Sequence, residues 1–138
     1  MIVVAAIIER EDRRIFIGQR HRNDTSALKW EFPGGKMEAL EEPKEALARE
    51  LREELGVTLV KSAELARVRH RYADTSDEIE IRFYAAAVAG EIHPTAFEQV
   101  AWVLPKQLGG YDFLAANRPL IADLATGRIK PRDRLEDI

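Results

Sequence analysis

The sequence PGGKMEALEEPKEALARELREELGV, from Pro33 to Val57, joins a pair of glycines to a segment rich in acidic residues. Pro43 can occupy the first turn of a helix, where its missing N–H has no intrahelical partner to lose. Residues 44–55 are strong helix formers, without glycine or β-branched residues among them. Gly56 stands where a left-handed C-terminal cap is common. The pattern therefore predicts a helix of about three turns.

Three acidic side chains converge on one face of this predicted helix. Glu50, Glu53 and Glu54 stand at positions i, i+3 and i+4. They lie in the last turn, where the helix dipole already carries partial negative charge, so their mutual repulsion raises some of their pKa values. A divalent cation relieves that repulsion, and Mg²⁺ is commonly held by carboxylates together with substrate phosphates. The alternative is a solvated charged face with pairs such as Arg49–Glu53.

The residues before the helix favour the metal site over the solvated face. Gly34 and Gly35 let the backbone approach a ligand closely. Glu41, just before the helix, is a further acid directed at the same region.

The same stretch resembles the Nudix box, G-x5-E-x7-R-E-U-x-E-E-x-G-U, in which U is an aliphatic residue. Every fixed position is filled, by Gly35, Glu41, Arg49, Glu50, Leu51, Glu53, Glu54, Gly56 and Val57. A chance match in a chain of 138 residues has a probability on the order of 10⁻⁷. The run W-E-F-P-G-G at residues 30–35 is typical of the MutT-like branch. One departure is Leu40, where relatives often have glycine or a small polar residue.

The resemblance implies a fold and an activity. The fold is the Nudix fold of the α/β class, an α/β/α sandwich with a central mixed sheet between the box helix and the C-terminal helix. The activity is hydrolysis of a nucleoside diphosphate linked to another group, which in MutT-like members is a phosphate. We expect a single Nudix hydrolase domain over residues 1–127 and a charged, exposed tail at residues 128–138.

The resemblance also implies roles within the box. The metal ligands would be the carbonyl group of Gly34 and the carboxylates of Glu50, Glu53 and Glu54, with Mg²⁺ as the ion and Mn²⁺ able to replace it. Catalysis is assigned to Glu50, Glu53 and Arg49. Arg49 would orient a carboxylate through a charge-assisted hydrogen bond, and Glu50 is a candidate to accept the proton of the attacking water.

Two further acids are assigned near the metal. Glu41 is expected to be a weaker metal contact or an acid that supports a metal ligand through a hydrogen bond. Many Nudix enzymes have an acidic residue just before an E-x-x-x-W strand, where it binds metal or activates water. Glu98 is the acid nearest to that position, and we assign it as a metal ligand.

The predicted substrate contacts are Arg20, Phe32, Gly35, Lys36 and Asn117. Arg20 follows directly on a predicted strand, at a position that contacts substrate in MutT-like enzymes; a surface arginine is the alternative. Phe32 is equally a candidate core residue. Asn117 lies in a segment similar to the MutT segment whose asparagine hydrogen-bonds an oxidised guanine, and its amide offers both a donor and an acceptor. The alternative for Asn117 is a helix N-cap.

Apolar and β-branched runs predict the strands. Residues 2–9 and 14–19 are expected to form a hairpin. Residues 58–72 are expected to form a long strand with a kink near Lys61, which pairs with residues 78–89 through a turn at residues 72–77.

Composition restricts the class of protein and its partners. The length of 138 residues is that of one domain, and the net charge of −3 gives no electrostatic basis for binding duplex nucleic acid or an anionic membrane. The alternating Arg67, Arg69 and Arg71 can face a polyphosphate, although a solvated sheet face is favoured. The lack of cysteine excludes disulfides and fits a reducing compartment. We expect a cytoplasmic monomer or homodimer whose partner is a small nucleotide.

The resulting hypothesis is a Mg²⁺-dependent nucleoside triphosphate pyrophosphohydrolase that cleans the nucleotide pool. Asn117 makes 8-oxo-dGTP the first substrate candidate. CTP or modified dCTP comes second, because relatives with a similar W-E-F-x-G-G-K run use them. Sugar-nucleotides, dinucleoside polyphosphates and RNA 5′ ends are further alternatives. A non-catalytic Nudix regulator is disfavoured because every box carboxylate is present.

Overall fold

The computed structural model describes residues 1–71 and 77–137, so most of the predicted turn at residues 72–77 lies outside the described residues. The strands are β1 (Ile2–Ile7), β2 (Ile15–Gln19), β3 (Trp30–Glu31), β4 (Gly34–Lys36), β5 (Thr58–Arg71), β6 (Glu78–Ala89) and β7 (Gln99–Val103). The α-helices are α1 (Pro43–Leu55), α2 (Arg118–Ala125) and α3 (Pro131–Glu136), and 3₁₀ helices form at Pro105–Gly110 and Ala115–Asn117. No helix in the described part of the chain is long and apolar enough to cross a membrane.

The strands form two sheets. The first is mixed, in the order β4-β1-β6-β5 with β1 and β6 parallel, and the second is antiparallel, in the order β3-β2-β7. The predicted mixed sheet is thus present, but the predicted hairpin of β1 and β2 is wrong, since the two strands lie in different sheets. Both edges of β1 are already paired, with β4 and β6, so antiparallel pairing is limited to the chain beside the turn. There Glu9 bridges Ile15, and the Phe16 N–H donates to the Ile8 carbonyl at 3.0 Å.

The long pair β5–β6 matches the sequence prediction. Its register shifts between Leu59 and Lys61 and again between Glu64 and Ala66, so the strand is irregular near the kink predicted at Lys61.

The basic row on β5 is neutralised by acidic neighbours. Arg67 pairs with Glu64, and Arg69 and Arg71 lie 3.5 Å and 3.4 Å from carboxylate oxygens of Glu78. All three arginines are exposed. The solvated sheet face therefore describes this row better than a polyphosphate contact does.

Helices cover both faces of the mixed sheet. On one face, three leucines of α1 share a core cluster with every second residue of the β1 segment. The leucines are Leu47, Leu51 and Leu55, and the β1-segment residues are Val4, Ala6 and Ile8. On the other face, leucines of α2 pack with the intervening residues: Leu120 and Leu124 with Ala5 and Ile7. Full burial of each leucine contributes about 1.5–3 kcal/mol. The predicted α/β/α sandwich is confirmed.

Helix α1 begins and ends where the sequence predicts. Pro43 occupies its first turn, and the Glu42 backbone N–H donates to Glu45 Oε1 at 2.8 Å, as in a capping box. Gly56 adopts the left-handed conformation with φ 70°, and its N–H donates to the Arg52 carbonyl at 3.0 Å. These caps fix the position of the acidic last turn.

The chain after residue 127 does not form the exposed tail that we predicted. Pro131 and Leu135 of α3 are buried, and the Glu9 carboxylate accepts a hydrogen bond from the Arg132 backbone N–H at 2.7 Å. A proline favours the first turn of a helix, and an apolar residue four positions later faces the same side. A short amphipathic helix is therefore docked where charge alone indicated a solvated tail.

Leu40 is expected to be a source of backbone strain. It adopts φ 67°, and its side chain is fully exposed, so no packing compensates for the left-handed conformation. We expect Leu40→Gly to raise the free energy of unfolding by up to about 1 kcal/mol, which denaturant titration can measure. Val60→Gly, at an exposed strand position, is the control and should lower stability. A destabilised Leu40→Gly variant would contradict this explanation.

Candidate active site

Arg49 is the centre of the hydrogen-bond network in the box. Its guanidinium donates to Glu41 at 2.7 Å and 3.0 Å, to Glu50 Oε1 at 2.8 Å, and to the Lys36 carbonyl at 3.0 Å; Glu53 Oε2 lies 3.4 Å away. The bond to Glu41 and the charge of Glu50 raise the pKa of Arg49, and Arg49 lowers the pKa of Glu41. Arg49 therefore fixes the orientation of Glu50 and ties the loop before α1 to the helix.

The paired glycines bring the backbone against two acids of α1. The Gly34 N–H donates to Glu54 Oε1 at 2.8 Å. A Cβ atom on Gly35 would lie 2.4 Å from the carboxyl carbon of Glu50, and one on Gly34 would lie 2.0 Å from the carbonyl oxygen of Val4. Neither position can hold a side chain without displacing its neighbours. Glycine is needed here because β4, β1 and α1 approach so closely.

Two carboxyl groups beside the glycines have raised pKa values. Burial raises the pKa of Glu54 to about 8, and the negative charges of Glu31 and Glu50 add to the effect, although the Gly34 N–H opposes it. Burial also raises the pKa of Glu31, despite the positive charge of Arg20. Burial thus disfavours the charged form of both carboxyl groups, and a cation bound beside them would favour it.

The predicted metal ligands are brought only partly together. Glu50 and Glu54 lie against the glycine pair, whereas the Glu53 side chain is 58% exposed. In their present positions, side chains of His, Cys, Asp and Glu within residues 1–71 and 77–137 do not form a group of three that could hold a metal ion.

The donor set nevertheless fits a divalent cation. Carboxylate and carbonyl oxygens are the ligands that Mg²⁺ takes, and the close approach at Gly35 leaves a Glu50 carboxylate directly beside the backbone. Glu50 and Glu53 stand one turn apart on a helix, with Cβ atoms about 5–6 Å apart, so rotation of the Glu53 side chain can bring the two carboxylates to one ion.

A cavity of about 400 Å³ opens beside the glycines and Glu54. All five predicted substrate contacts line it: Arg20, Phe32, Gly35, Lys36 and Asn117. A volume of this size accommodates a small organic ligand. Glu54 of the box and Asn117, the predicted base-reading residue, therefore line one cavity.

Phe32 and Asn117 form the buried part of this cavity. Phe32 packs against Phe113, with ring centroids 5.3 Å apart, so its role as a core residue is also correct. The Asn117 Oδ1 atom accepts a hydrogen bond from the Phe32 N–H at 3.4 Å, and the side chain makes no helix-capping hydrogen bond. The N-cap interpretation is therefore wrong for the Asn117 side chain, although the residue does precede α2.

Arg20 is not the solvated surface arginine that was the alternative. Its side chain is 25% exposed, its Nε donates to the Thr25 carbonyl at 2.8 Å, and its Nη1 lies 3.3 Å from Glu31 Oε1. The guanidinium thus connects the loop after β2 to strand β3. It lines the cavity while it is bound to protein groups.

Glu98 is engaged in an ion pair with Arg22. Its carboxylate accepts hydrogen bonds from Arg22 Nη2 at 2.8 Å and from the Arg22 backbone N–H at 3.2 Å, which lower the pKa of Glu98 to about 2. His21 Nδ1 lies 3.6 Å from the same carboxylate. A role of Glu98 as a metal ligand stays a prediction, and it would require this ion pair to open.

Three residues that we did not predict from the sequence also line the cavity: Glu31, Thr25 and Ser26. The sequence does indicate a special position for Glu31, because this acid stands between two aromatic residues, Trp30 and Phe32, which are both buried. Strand alternation places such an acid on the opposite side from the two rings. Thr25 and Ser26 lie in a polar loop whose course no sequence pattern indicates.

A comparison with family models matches residues 1–124 to the NUDIX domain. The chain belongs to the NUDIX family. It is 34% identical over 133 residues to a CTP pyrophosphohydrolase of Escherichia coli K12, covering 95% of this chain and 96% of that protein. It is 33% identical over 123 residues to the 8-oxo-dGTP diphosphatase of the same organism, covering 88% and 94%.

A solved structure extends this likeness to three dimensions. The MutT NUDIX hydrolase of Burkholderia pseudomallei superposes with a TM-score of 0.78 at 29% identity, covering 88% of this chain and 95% of that one. The predicted family, fold and enzyme class are confirmed: this is a Nudix hydrolase with MutT-like relatives. Nudix hydrolases generally use a divalent metal ion.

The stability of the metal-free protein is expected to fall as pH rises from about 4.5 to 8, because the pKa of Glu54 is raised from 4.5 to about 8. In that window the folded state holds a proton that the unfolded state has lost, so stability decreases with pH. The melting temperature in EDTA should therefore depend less on pH in Glu54→Gln than in the wild type. The raised pKa of Glu31 has the same effect, so part of the pH dependence of stability should remain in Glu54→Gln. Identical slopes in the two proteins would contradict the burial of Glu54.

Proposed function

We propose that this Nudix hydrolase is a Mg²⁺-dependent nucleoside triphosphate pyrophosphohydrolase that releases a nucleoside monophosphate and pyrophosphate. The observation that carries the proposal is the juxtaposition of the acid-lined glycine pair with a cavity that contains Asn117. The first part suits a metal-bound polyphosphate, and the second is large enough for a base. A small free nucleotide fits both at once.

The box residues would act on the phosphates. Glu50, Glu53, Glu54 and the Gly34 carbonyl would hold the ion, which when bound supplies neutralisation of phosphate charge and a lower pKa for a coordinated water. Glu50 would accept the proton of the attacking water, and its hydrogen bond from Arg49 at 2.8 Å supports this role.

Two groups in the cavity are suited to reading a base. The Asn117 Oδ1 accepts the Phe32 N–H, which leaves its amide NH₂ to donate to a base carbonyl. Glu31 offers carboxyl oxygens that can accept from an exocyclic amino group. Guanine and cytosine carry such a group, whereas thymine and uracil do not. The cavity is therefore expected to favour a guanine or cytosine nucleotide.

We infer that 8-oxo-dGTP is the first substrate candidate, supported by the Asn117 amide and by the E. coli relative that is named as an 8-oxo-dGTP diphosphatase. CTP or a modified dCTP is the second. It is supported by the CTP pyrophosphohydrolase that is 34% identical over 95% of this chain. Sugar-nucleotides, dinucleoside polyphosphates and RNA 5′ ends have no corresponding support in the cavity. The net charge of −3 supports a free nucleotide over duplex nucleic acid. We expect the protein to act in the cytoplasm as a monomer or homodimer.

Product analysis tests this proposal. The purified protein is incubated with 8-oxo-dGTP, dGTP, CTP, dCTP and UTP, each with Mg²⁺ and with EDTA, and the products are separated by chromatography. We expect a monophosphate and pyrophosphate, with 8-oxo-dGTP turned over fastest and UTP poorly, and no turnover in EDTA. Release of orthophosphate without pyrophosphate would contradict the proposed reaction. A preference for UTP would contradict the assigned role of Glu31.

A further inference from the structure

A second cavity, of about 480 Å³, lies at the other end of the parallel strands β1 and β6. Ile8, just after β1, and Val88, near the end of β6, line it, whereas Val3 and Ile79 line the proposed nucleotide cavity. Ala5 also lines the nucleotide cavity and is three residues from Ile8, so roughly 10 Å of strand separates the nearest lining residues on this strand. None of the described residues lines both cavities, and the proposed reaction makes no use of the second one.

The second cavity combines apolar walls with three cations. The apolar side chains, which are buried or half-buried, are Ile8, Val88, Ile92, Trp102 and Leu135. The cations are Arg10, Lys61 and Arg132. A mainly apolar lining with a few charged groups is typical of a site for a small organic ligand, and the volume lies in the usual range for such sites.

Lys61 is the cation without a partner. In residues 1–71 and 77–137 its ammonium group makes no hydrogen bond and no ion pair, although the residue is half-buried. A partly desolvated charge without a counter-charge is unfavourable, so an anion bound beside it is stabilised. Lys61 stands at a register shift of β5, and bulges of this kind often redirect a side chain.

The other two cations have only exposed partners. Arg10 lies 4.5 Å from the centroid of the Trp102 ring and pairs with Asp12 at 3.0 Å. Arg132 lies 3.5 Å from Glu11, whose side chain is 90% exposed. Exposed pairs of this kind contribute little to stability, so both guanidinium groups can turn toward a bound anion at small cost.

Two acids also line the cavity. The Glu9 carboxylate accepts the Arg132 N–H at 2.7 Å and lies 3.6 Å from Arg13, so it is already engaged. Glu136, on the last turn of α3, has no ion pair among the described residues. An anion in the cavity would therefore pair with Lys61 and draw Arg132 away from its exposed partner.

We propose that this cavity is a second binding site, which takes a small organic phosphate. The phosphate would pair with Lys61 and Arg132, and the apolar body would pack against Val88, Ile92 and Leu135. Helix α3 contributes Arg132 and Leu135, so the site exists only because the C-terminal segment is docked.

An NMR titration of the full chain with phenyl phosphate tests the site. The chain has two tryptophans, so the Trp102 indole N–H signal can be assigned with Trp102→Phe and compared with that of Trp30. We expect a saturable shift of the Trp102 signal. Lys61→Gln should raise the dissociation constant at least about tenfold, as expected for the loss of a charge-assisted contact. Lys44→Gln, at an exposed lysine on α1, should leave it unchanged.

Further measurements distinguish binding in the second cavity from loss of fold and from binding in the nucleotide cavity. Lys61→Gln should keep the wild-type melting temperature and nucleotide turnover, so a loss of phenyl phosphate binding is not a loss of fold. Benzoate should bind more weakly than phenyl phosphate; equal binding would overturn the preference for phosphate. The site itself would be overturned by a shift that never saturates or by unchanged affinity in Lys61→Gln. Loss of binding in Lys36→Gln would also overturn it, because Lys36 lines the nucleotide cavity.

Discussion

Replacement of Glu53 by glutamine is expected to lower kcat by at least about 10²-fold, because the site would lose a carboxylate that holds the ion that neutralises the phosphate charge. The Glu53 side chain is 58% exposed and lies 3.4 Å from Arg49, so it supports little of the fold. We therefore expect a large loss of turnover with a nearly unchanged melting temperature. Steady-state kinetics with saturating Mg²⁺ and a thermal melt measure the two quantities.

Glu91→Gln is the matched control for this variant. Glu91 is an exposed acid outside the box, so the same change of charge should leave kcat within about twofold of the wild type, as is usual for exposed sites. Full turnover by Glu53→Gln would remove Glu53 from the metal and catalytic residues. A loss of activity that follows a loss of fold would leave Glu53 with a structural role instead.

Gly35→Ala is expected to lower kcat by about 10²-fold, because a misplacement of about 1 Å at a reacting group can have an effect of that size. The new Cβ atom would lie 2.5 Å and 2.6 Å from the two carboxylate oxygens of Glu50, so this carboxylate must move. Its hydrogen bond with Arg49 at 2.8 Å would be disturbed as well. Kinetics of the wild type, Gly35→Ala, Glu50→Ala and Gly35→Ala/Glu50→Ala form a double-mutant cycle.

The cycle tests whether the glycine acts through Glu50. If it does, Gly35→Ala should have little further effect once Glu50 has been replaced. Gly110→Ala is the control, because a Cβ atom there meets nothing within 4 Å. Additive effects of the two changes would show that Gly35→Ala acts elsewhere, for example by loosening the pairing of β4 with β1.

The sequence predicts well those features that local chemistry determines. Pro43 and Gly56 delimit α1, because each has a backbone preference that suits one end of a helix. The acids of the last turn follow from helical spacing, and the α/β/α arrangement follows from the resemblance. The five residues predicted to contact substrate line one cavity, although they are scattered over residues 20–117.

Other features depend on tertiary contacts that sequence patterns do not record. Strands β1 and β2 separate into two sheets because β4 and β6 already pair with both edges of β1. Helix α3 forms because Leu135 finds an apolar surface, which a count of its charged neighbours does not reveal. The attachment of Glu98 to Arg22 and of Arg20 to Glu31 arises from loop conformations.

The most direct test of the central claim is an anomalous difference map from crystals grown with Mn²⁺ and a non-hydrolysable nucleoside triphosphate. We predict a peak about 2–2.5 Å from carboxylate oxygens of Glu50, Glu53 and Glu54 and beside the Gly34 carbonyl, with the base in the cavity lined by Asn117. A nucleotide bound there without an ion among these three carboxylates, or an ion bound away from them, would contradict the account.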